Sequence, residues 1–237
     1  TLRLSATSSA ASWFESLAAG STASSSSTAA GARPGRASAM AEVVLTGANL
    51  SGVMIDGDLS GRDLTGADLS NAALTGVVFR DAVLDHVNLS GASLRDADLS
   101  GASLRGAHLF SADLAGALLA RADLSRAHLG DASLVRARLV EEDEPRPAPA
   151  CGEGPRPGLR LDGALLIRAD LSGVMAEGVD FTGVDLGGAR LDDAALDGAC
   201  LREAVLTLAT LNRARLRGAD ARDAEMVNTL VVDADLR

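Results

Sequence analysis

The chain contains no lysine and no tyrosine, and aromatic side chains of every kind are scarce. Its 237 residues include one Trp and four Phe, so aromatics make up 2% of the chain while hydrophobic residues make up 47%. A globular core of this size normally contains several large rings, which bury more area than other side chains. We therefore predict a narrow core, one side chain deep, built from Leu, Val and Ala.

Positive charge is scarce as well. The 22 basic residues are all arginine and are outnumbered by 32 acidic residues, which gives a formal net charge of −10. A protein that binds nucleic acid directly shows a basic patch, so this balance argues against one. Charges of both signs are interspersed along the chain, as is typical of solvated surface. No apolar run reaches the roughly 18 residues that a membrane span needs.

Cysteine is nearly absent, because only Cys151 and Cys200 occur. Two scattered cysteines do not make a disulfide framework. We therefore predict free thiols in a reducing compartment, with the thiol of Cys200 exposed to solvent.

Residues 1–42 differ in composition from the rest of the chain. They include a low-complexity stretch, "STASSSSTAAGARPGRASA", which predicts a disordered or targeting segment. The chain begins at Thr1 rather than Met, which we interpret as a fragment. Residues 1–39 fit an organellar transit peptide, since they are rich in Ser and Ala and carry Arg. They fit equally well sequence that lies upstream of a natural start at Met40.

A five-residue period organises the chain from about residue 43 onward. In "DLTGADLSNAALTGVVF", residues 63–79, large apolar residues recur at Leu64, Leu69, Leu74 and Phe79. Neither a helix, with a period of 3.6, nor a strand, with a period of 2, keeps every fifth residue on one face. A short straight segment followed by a corner does, because the chain then winds as a coil with each centre and the small residue two before it pointing inward.

The period divides the chain into two blocks. Block 1 spans 43–139 with 20 centres, and block 2 spans 159–237 with 16 centres. Within block 1 the spacing slips by one residue near Gly57, which glycine tolerates because it reaches unusual backbone angles. Between the blocks, residues 140–158 read "VEEDEPRPAPACGEGPRPG" and predict an acidic, Pro- and Gly-rich loop or linker.

Segments such as "GADLSGASLRGAHL" and "GVDFTGVDLGGARL" resemble the A-(D/N)-L-X-X signature of the pentapeptide-repeat proteins. The resemblance covers residues 45–139 and 161–237. It implies an all-β fold, a right-handed four-sided (quadrilateral) parallel β-helix solenoid with four pentapeptides in each coil. Nine coils at about 4.8 Å each would give a rod about 43 Å long if the two blocks stack coaxially.

Four units per coil imply that residues 20 apart stack on one another. We therefore expect two outer columns in block 1. One contains two adjacent histidines, which could bind a metal ion or could be surface residues in a stacked column with no ligand. The columns are Asp68, Asn88, His108 and His128, and Asp58, Val78, Asp98 and Leu118. A test of the register follows, in which Ala72→Arg disrupts the stack and Asn71→Arg, at a corner, does not.

No catalytic, cofactor-binding or metal-binding residue is predicted. Catalysis needs groups that converge in a pocket, whereas the repeat distributes its carboxylates, such as the neighbours Asp192 and Asp193, along the outside. The three histidines have no recognisable nucleophile partner, and no phosphate-binding motif occurs. We therefore expect a chain that is not an enzyme and that takes no cofactor.

The leading hypothesis for function is a structural or protein-interaction solenoid with an unknown protein partner. The resemblance also implies an alternative, a DNA mimic of the quinolone-resistance type that binds DNA gyrase or topoisomerase. A third is a scaffold fused to a catalytic domain outside this fragment. The 140–158 loop is either the contact for a partner or a passive linker, and the last coil, which shows no cap, suggests end-to-end association. We expect a cytoplasmic protein, or a plastid or thylakoid protein if residues 1–39 are a transit peptide.

Overall fold

The computed structural model describes residues 3–5, 45–141, 151 and 158–237. Two short strands occur, β1 (Arg3–Ser5) and β2 (Met54–Asp56), and they pair antiparallel. All other extended segments of the described chain pair through isolated parallel bridges. The rest of the predicted 1–42 segment and most of the 140–158 loop lie outside the described residues.

The parallel bridges join residues one coil apart and so define four faces. We name the faces A to D in chain order, starting from Asn49, Met54, Asp58 and Asp63. The usual spacing between bridged residues is 20, as for Asp58 and Val78. In the first coil it is 19, as for Asn49 and Asp68, which confirms the predicted one-residue slip near Gly57. Face A carries Asn49, Asp68, Asn88, His108, His128, Leu165, Asp185, Val205 and Glu225.

Each corner between faces is a β-turn in which the third residue has a positive φ. The amide of Ala72 donates to the carbonyl of Leu69 at 3.1 Å, and Asn71, between them, has φ of 56°. A positive φ at this position is the geometry of a type II turn, which favours Gly or Asn. The corner amide is also satisfied between coils, because Asn71 N–H donates to Ser90 O at 2.9 Å. Corner backbone groups are thus bonded both within a coil and between coils.

The core contains the two inward positions of each repeat and little else. Leu64, Leu69, Leu74 and Phe79 are fully buried, and the small residues between them are equally hidden. The two buried phenylalanines, Phe79 and Phe181, both occupy centre positions. The described repeats therefore confirm a core one side chain deep, in which close packing leaves no room for larger residues at the small positions.

The two blocks form one continuous stack. Asp123 of block 1 bridges Arg160 of block 2, and His128 bridges Leu165, both across 37 residues rather than 20. The loop is therefore an insertion at the corner between faces C and D, and the coils on either side of it are neighbours.

The two ends of the stack differ. At the first coil, β1 lies against β2 and pairs Leu4 with Ile55. At the last described coil, the inward-facing residues have no coil above them, so that Leu236 is 68% exposed and Met226 and Val231 are also open to solvent.

Candidate functional site

The outer columns are the surfaces on which this chain can present chemistry. Both predicted columns are confirmed, since consecutive members are joined by bridges. In the first, the rings of His108 and His128 have centroids 5.3 Å apart at an angle of 42°. Within the described ranges, no group of three or more His, Cys, Asp or Glu side chains is placed to hold a metal ion.

Aspartate before the centre caps the turn that follows it. Asp58 Oδ1 accepts the Ser60 N–H at 2.8 Å, and Asp63 Oδ1 accepts the Thr65 N–H at 2.9 Å. Asparagine does the same, because Asn88 Oδ1 accepts the Ser90 N–H at 3.2 Å. This is the local turn for which Asp and Asn are favoured. The sequence contains a signal for this role, because Asp or Asn is repeatedly followed two positions later by a turn residue. An outward direction alone does not predict it.

Two of these carboxylates are buried, although residues before the centres are predicted to face solvent. Asp98 and Asp123 are each 8% exposed. Arg80 covers Asp98 with an ion pair, while Arg105 Nε and Arg160 Nη1 lie 2.7 Å and 3.1 Å from Asp123 Oδ2. The prediction is wrong at these positions because arginine side chains from adjoining coils lie across the carboxylates.

Four of the arginines share one spacing to their carboxylate partners. Arg80 pairs with Asp98, Arg95 with Asp113, Arg105 with Asp123 and Arg217 with Asp235, always 18 residues apart. This spacing joins the first corner residue of one coil to the residue before the centre in the next. Much of the negative charge of these columns is therefore neutralised between coils.

The adjacent carboxylates of Asp192 and Asp193 serve different local contacts. Asp193 accepts two hydrogen bonds from the Arg213 guanidinium, from Nε at 2.7 Å and Nη2 at 2.6 Å. Asp192 Oδ1 accepts the Asn212 N–H at 2.9 Å. The two carboxylates point to different partners on the next coil and do not converge.

Turn carboxylates with a pKa below the ordinary range include Asp58, Asp98, Asp123 and Asp220. Hydrogen bonds from Ser60 lower the pKa of Asp58, and the guanidinium of Arg222 lowers the pKa of Asp220 to about 2. Burial raises the pKa of Asp98, but hydrogen bonds from Ser100 and Arg80 outweigh it, and the net change is downward. Asp123 follows the same pattern with Ser125 and Arg105.

These shifts predict acid sensitivity with a defined sign. A carboxyl whose folded pKa is below the unfolded value of 3.8 stabilises the fold above pH 3.8 and loses that contribution as pH falls toward the folded value, about 2 for Asp220. We expect the melting temperature, followed by circular dichroism, to change little between neutral pH and pH about 5 and to fall below pH about 4. Asp98→Asn, which keeps an acceptor for Ser100 as Asn88 does for Ser90, should reduce the acid-dependent part. A melting temperature that rises on acidification would contradict the sign.

The structure corrects the prediction for the cysteines. Cys151 and Cys200 form a disulfide, with Cα atoms 5.5 Å apart. Cys200 sits on face D, where Asp180 and Asp220 bridge it on either side, and is only 1% exposed. Free thiols and an exposed Cys200 are therefore wrong, because the loop brings Cys151 onto a thiol that the repeat alone would leave at the surface.

A family model described as "Pentapeptide repeats" matches the chain in eight copies, over residues 63–139 and 158–237. The chain belongs to the pentapeptide repeat family. The predicted fold, a right-handed four-sided β-helix, is thereby confirmed. No curated protein matches this pentapeptide repeat chain.

Solved structures of other pentapeptide repeat proteins are similar to this one. HetL, involved in heterocyst differentiation regulation in the cyanobacterium Nostoc sp. strain PCC 7120, is 26% identical, with 80% of this chain and 87% of that chain covered and a TM-score of 0.32. A thylakoid-lumen protein of Arabidopsis thaliana is 28% identical over 50% of this chain and 67% of that one, with a TM-score of 0.37. QnrB1, a plasmid-mediated fluoroquinolone resistance protein, is 18% identical over 78% and 85%, with a TM-score of 0.50. At that identity the QnrB1 match shows the fold alone.

The described part of the chain contains no helix that is both long enough and apolar enough to cross a membrane.

Proposed function

We propose that this pentapeptide repeat protein is a non-enzymatic interaction solenoid whose outer columns bind a protein partner. The supporting observation is that the inward and outward positions of the repeat have different roles. Buried inward positions are filled by Leu, Ala, Val, Phe and one Ile. Outward carboxylates are engaged one by one in turn caps and ion pairs rather than gathered in one place. A rod of this kind offers a rigid, regular surface, as other solenoids do to their partners.

A photo-crosslinking experiment tests this proposal. The crosslinking amino acid p-benzoylphenylalanine replaces, in separate variants, one exposed corner residue on each edge of the rod: Ser60, Thr75, Arg105 and Phe110. In a native extract we expect one protein to be captured saturably from one or two neighbouring edges. The Ala72→Arg variant, carrying the same crosslinker, controls for capture by unfolded chain. Failure to capture a saturable partner from any edge would contradict the proposal.

DNA mimicry is a second candidate, favoured by the charge of the first coils. Residues 45–100 contain eight acidic residues and three arginines, whereas residues 101–139 contain three acidic residues and five arginines. Residues 45–100 thus carry a net charge of −5, and residues 159–237, with 14 acidic residues and nine arginines, carry the same, so negative charge lies on both sides of a middle section with a net charge of +2. We expect DNA gyrase to be inhibited in a plasmid supercoiling assay if this candidate is correct. No inhibition at micromolar protein would remove it.

The disulfide indicates the kind of cellular compartment in which this protein is found. Cytosolic thiols are kept reduced by glutathione and thioredoxin, so a Cys151–Cys200 disulfide favours an oxidising compartment over the cytoplasm predicted from the sequence.

A further inference from the structure

One stretch of face A lacks carboxylates, as does the stretch of face C from Leu118 to Arg215. Between Asp68 and Asp185 the column carries no carboxylate, but runs through Asn88, His108, His128 and Leu165. Both histidines are exposed. In a chain of net charge −10, this is a surface on which Asn, His and Leu stand at positions that elsewhere carry aspartate.

The edge of this stretch exposes two large apolar side chains. Phe110 is 52% exposed and Ile167 is 37% exposed, and they occupy the corner positions on either side of Gly130. A Cβ atom added to Gly130 would lie 3.4 Å from Phe110 Cδ2. Gly130 has no positive φ, so its backbone does not require glycine. The Phe110 ring therefore lies beside Gly130, at ordinary van der Waals distance from where a Cβ atom would be.

An unpaired arginine borders the other side. Arg126, two residues before His128, is exposed and forms no salt bridge with any part of the chain that the structure describes. By contrast, Asp131 on the apolar edge is neutralised by Arg168, whose Nε lies 2.7 Å from Asp131 Oδ1. This surface therefore includes one positive charge, that of Arg126, which forms no salt bridge with the described residues. We name it the histidine face and define it by His108, Phe110, Arg126, His128 and Ile167.

We propose that the histidine face binds an acidic protein segment that carries a bulky apolar side chain. The carboxylates of that segment meet Arg126 and the two histidines, and the apolar side chain packs on Phe110 and Ile167. Exposed aromatic residues and arginine are the residue types enriched where protein interfaces gain most of their binding energy. The inference rests on the proposed interaction function and names the chemistry of the partner.

Three short peptides test the proposal on the full chain. The first has the sequence Glu-Glu-Leu-Phe-Glu-Glu, the second replaces each Glu with Lys, and the third replaces Leu-Phe with Ser-Ser. Binding is measured by fluorescence polarisation and mapped by backbone amide shifts in NMR. We expect the first peptide to bind at least tenfold more tightly than the others, with shifts concentrated at the histidine face.

Two variants and a matched control make the assignment specific. Phe110→Ser and Arg126→Ser should each weaken binding at least fivefold, whereas Leu208→Ser, which removes an exposed apolar residue from the same edge in a later coil, should not. Circular dichroism confirms that each variant keeps the fold. Equal binding of the acidic and basic peptides, or unchanged binding in Arg126→Ser, would overturn the proposal, as would equal competition by inorganic polyphosphate.

The outcomes separate this inference from the proposed function. If the crosslinking experiment captures a partner from an edge away from face A, the solenoid still binds a protein and the histidine face is the wrong surface. If no edge captures a partner, the proposed function itself fails.

Discussion

Replacing Ala72 with arginine is expected to abolish the stacking of the neighbouring coils. Ala72 is 1% exposed, and its carbonyl accepts the Ser93 N–H of the next coil at 2.9 Å. An arginine there would place an unpaired charge in a core one side chain deep, and the backbone would have to separate to admit it. We expect a loss of at least about 4 kcal/mol in the free energy of unfolding, which belongs to the large effects that only buried charge or cavities produce.

The matched control lies one residue earlier. Asn71 is exposed and has φ of 56°, and arginine adopts the same corner geometry at Arg121, Arg126 and Arg136. Asn71→Arg should therefore change stability by no more than about 0.5 kcal/mol. Urea unfolding followed by circular dichroism measures both variants. Equal tolerance of the two substitutions would show that the register of the inward positions is wrong.

Reducing the Cys151–Cys200 disulfide is expected to have the second largest effect. The bond joins residues 49 apart and ties the inserted loop to face D. Closing a loop of this length removes conformational entropy from the unfolded chain, which the simplest model values at about 4 kcal/mol and experiments usually place at 2–4 kcal/mol. We therefore expect the melting temperature of the oxidised chain to fall by several degrees when a reductant is added.

Cys151→Ser isolates the contribution of the bond. This variant retains both the buried Cys200 and Thr182, whose Oγ1 lies 3.2 Å from Cys200 Sγ. Its melting temperature should match that of the reduced chain and should not respond to reductant. Two titratable thiols in the denatured, air-oxidised chain, or a melting temperature that is the same with and without reductant, would contradict the structure at this point.

Most of the architecture could be predicted from the repeat, because the repeat involves only residues that are close in sequence. Because the period of five places the same residue type at each step, Leu64, Leu69 and Leu74 could be assigned inward positions without any long-range contact. The resemblance to pentapeptide-repeat proteins added four units per coil, which set which outer residues stack, and the bridge between His108 and His128 follows from that spacing. The capping role of Asp58 is equally local, because its Oδ1 accepts the N–H of Ser60 two residues later, but the outward direction of Asp58 does not by itself predict that bond.

The contacts that were not predicted join residues that are not 20 apart in the sequence, and 20 is the usual distance between stacked positions. Asp98 was expected to be solvated, and its burial depends on the side-chain direction of Arg80, which the repeat pattern does not specify. Cys200 has the ordinary outward position of the repeat, and its disulfide with Cys151, a residue outside the repeats, accompanies its burial.

The sequence by itself determined the inward positions and the corner positions, because each recurs in every repeat and each copy is satisfied by its immediate neighbours. The stacking register needed in addition the four units per coil that the resemblance to pentapeptide-repeat proteins implies. Only the tertiary structure decided that the two blocks form one stack, through the bridge from Asp123 to Arg160, and that β1 pairs beside β2. It also decided that the two cysteines meet. Each of these is a single contact between distant segments, so no repetition in the chain encodes it, and its formation depends on where folding places the intervening residues.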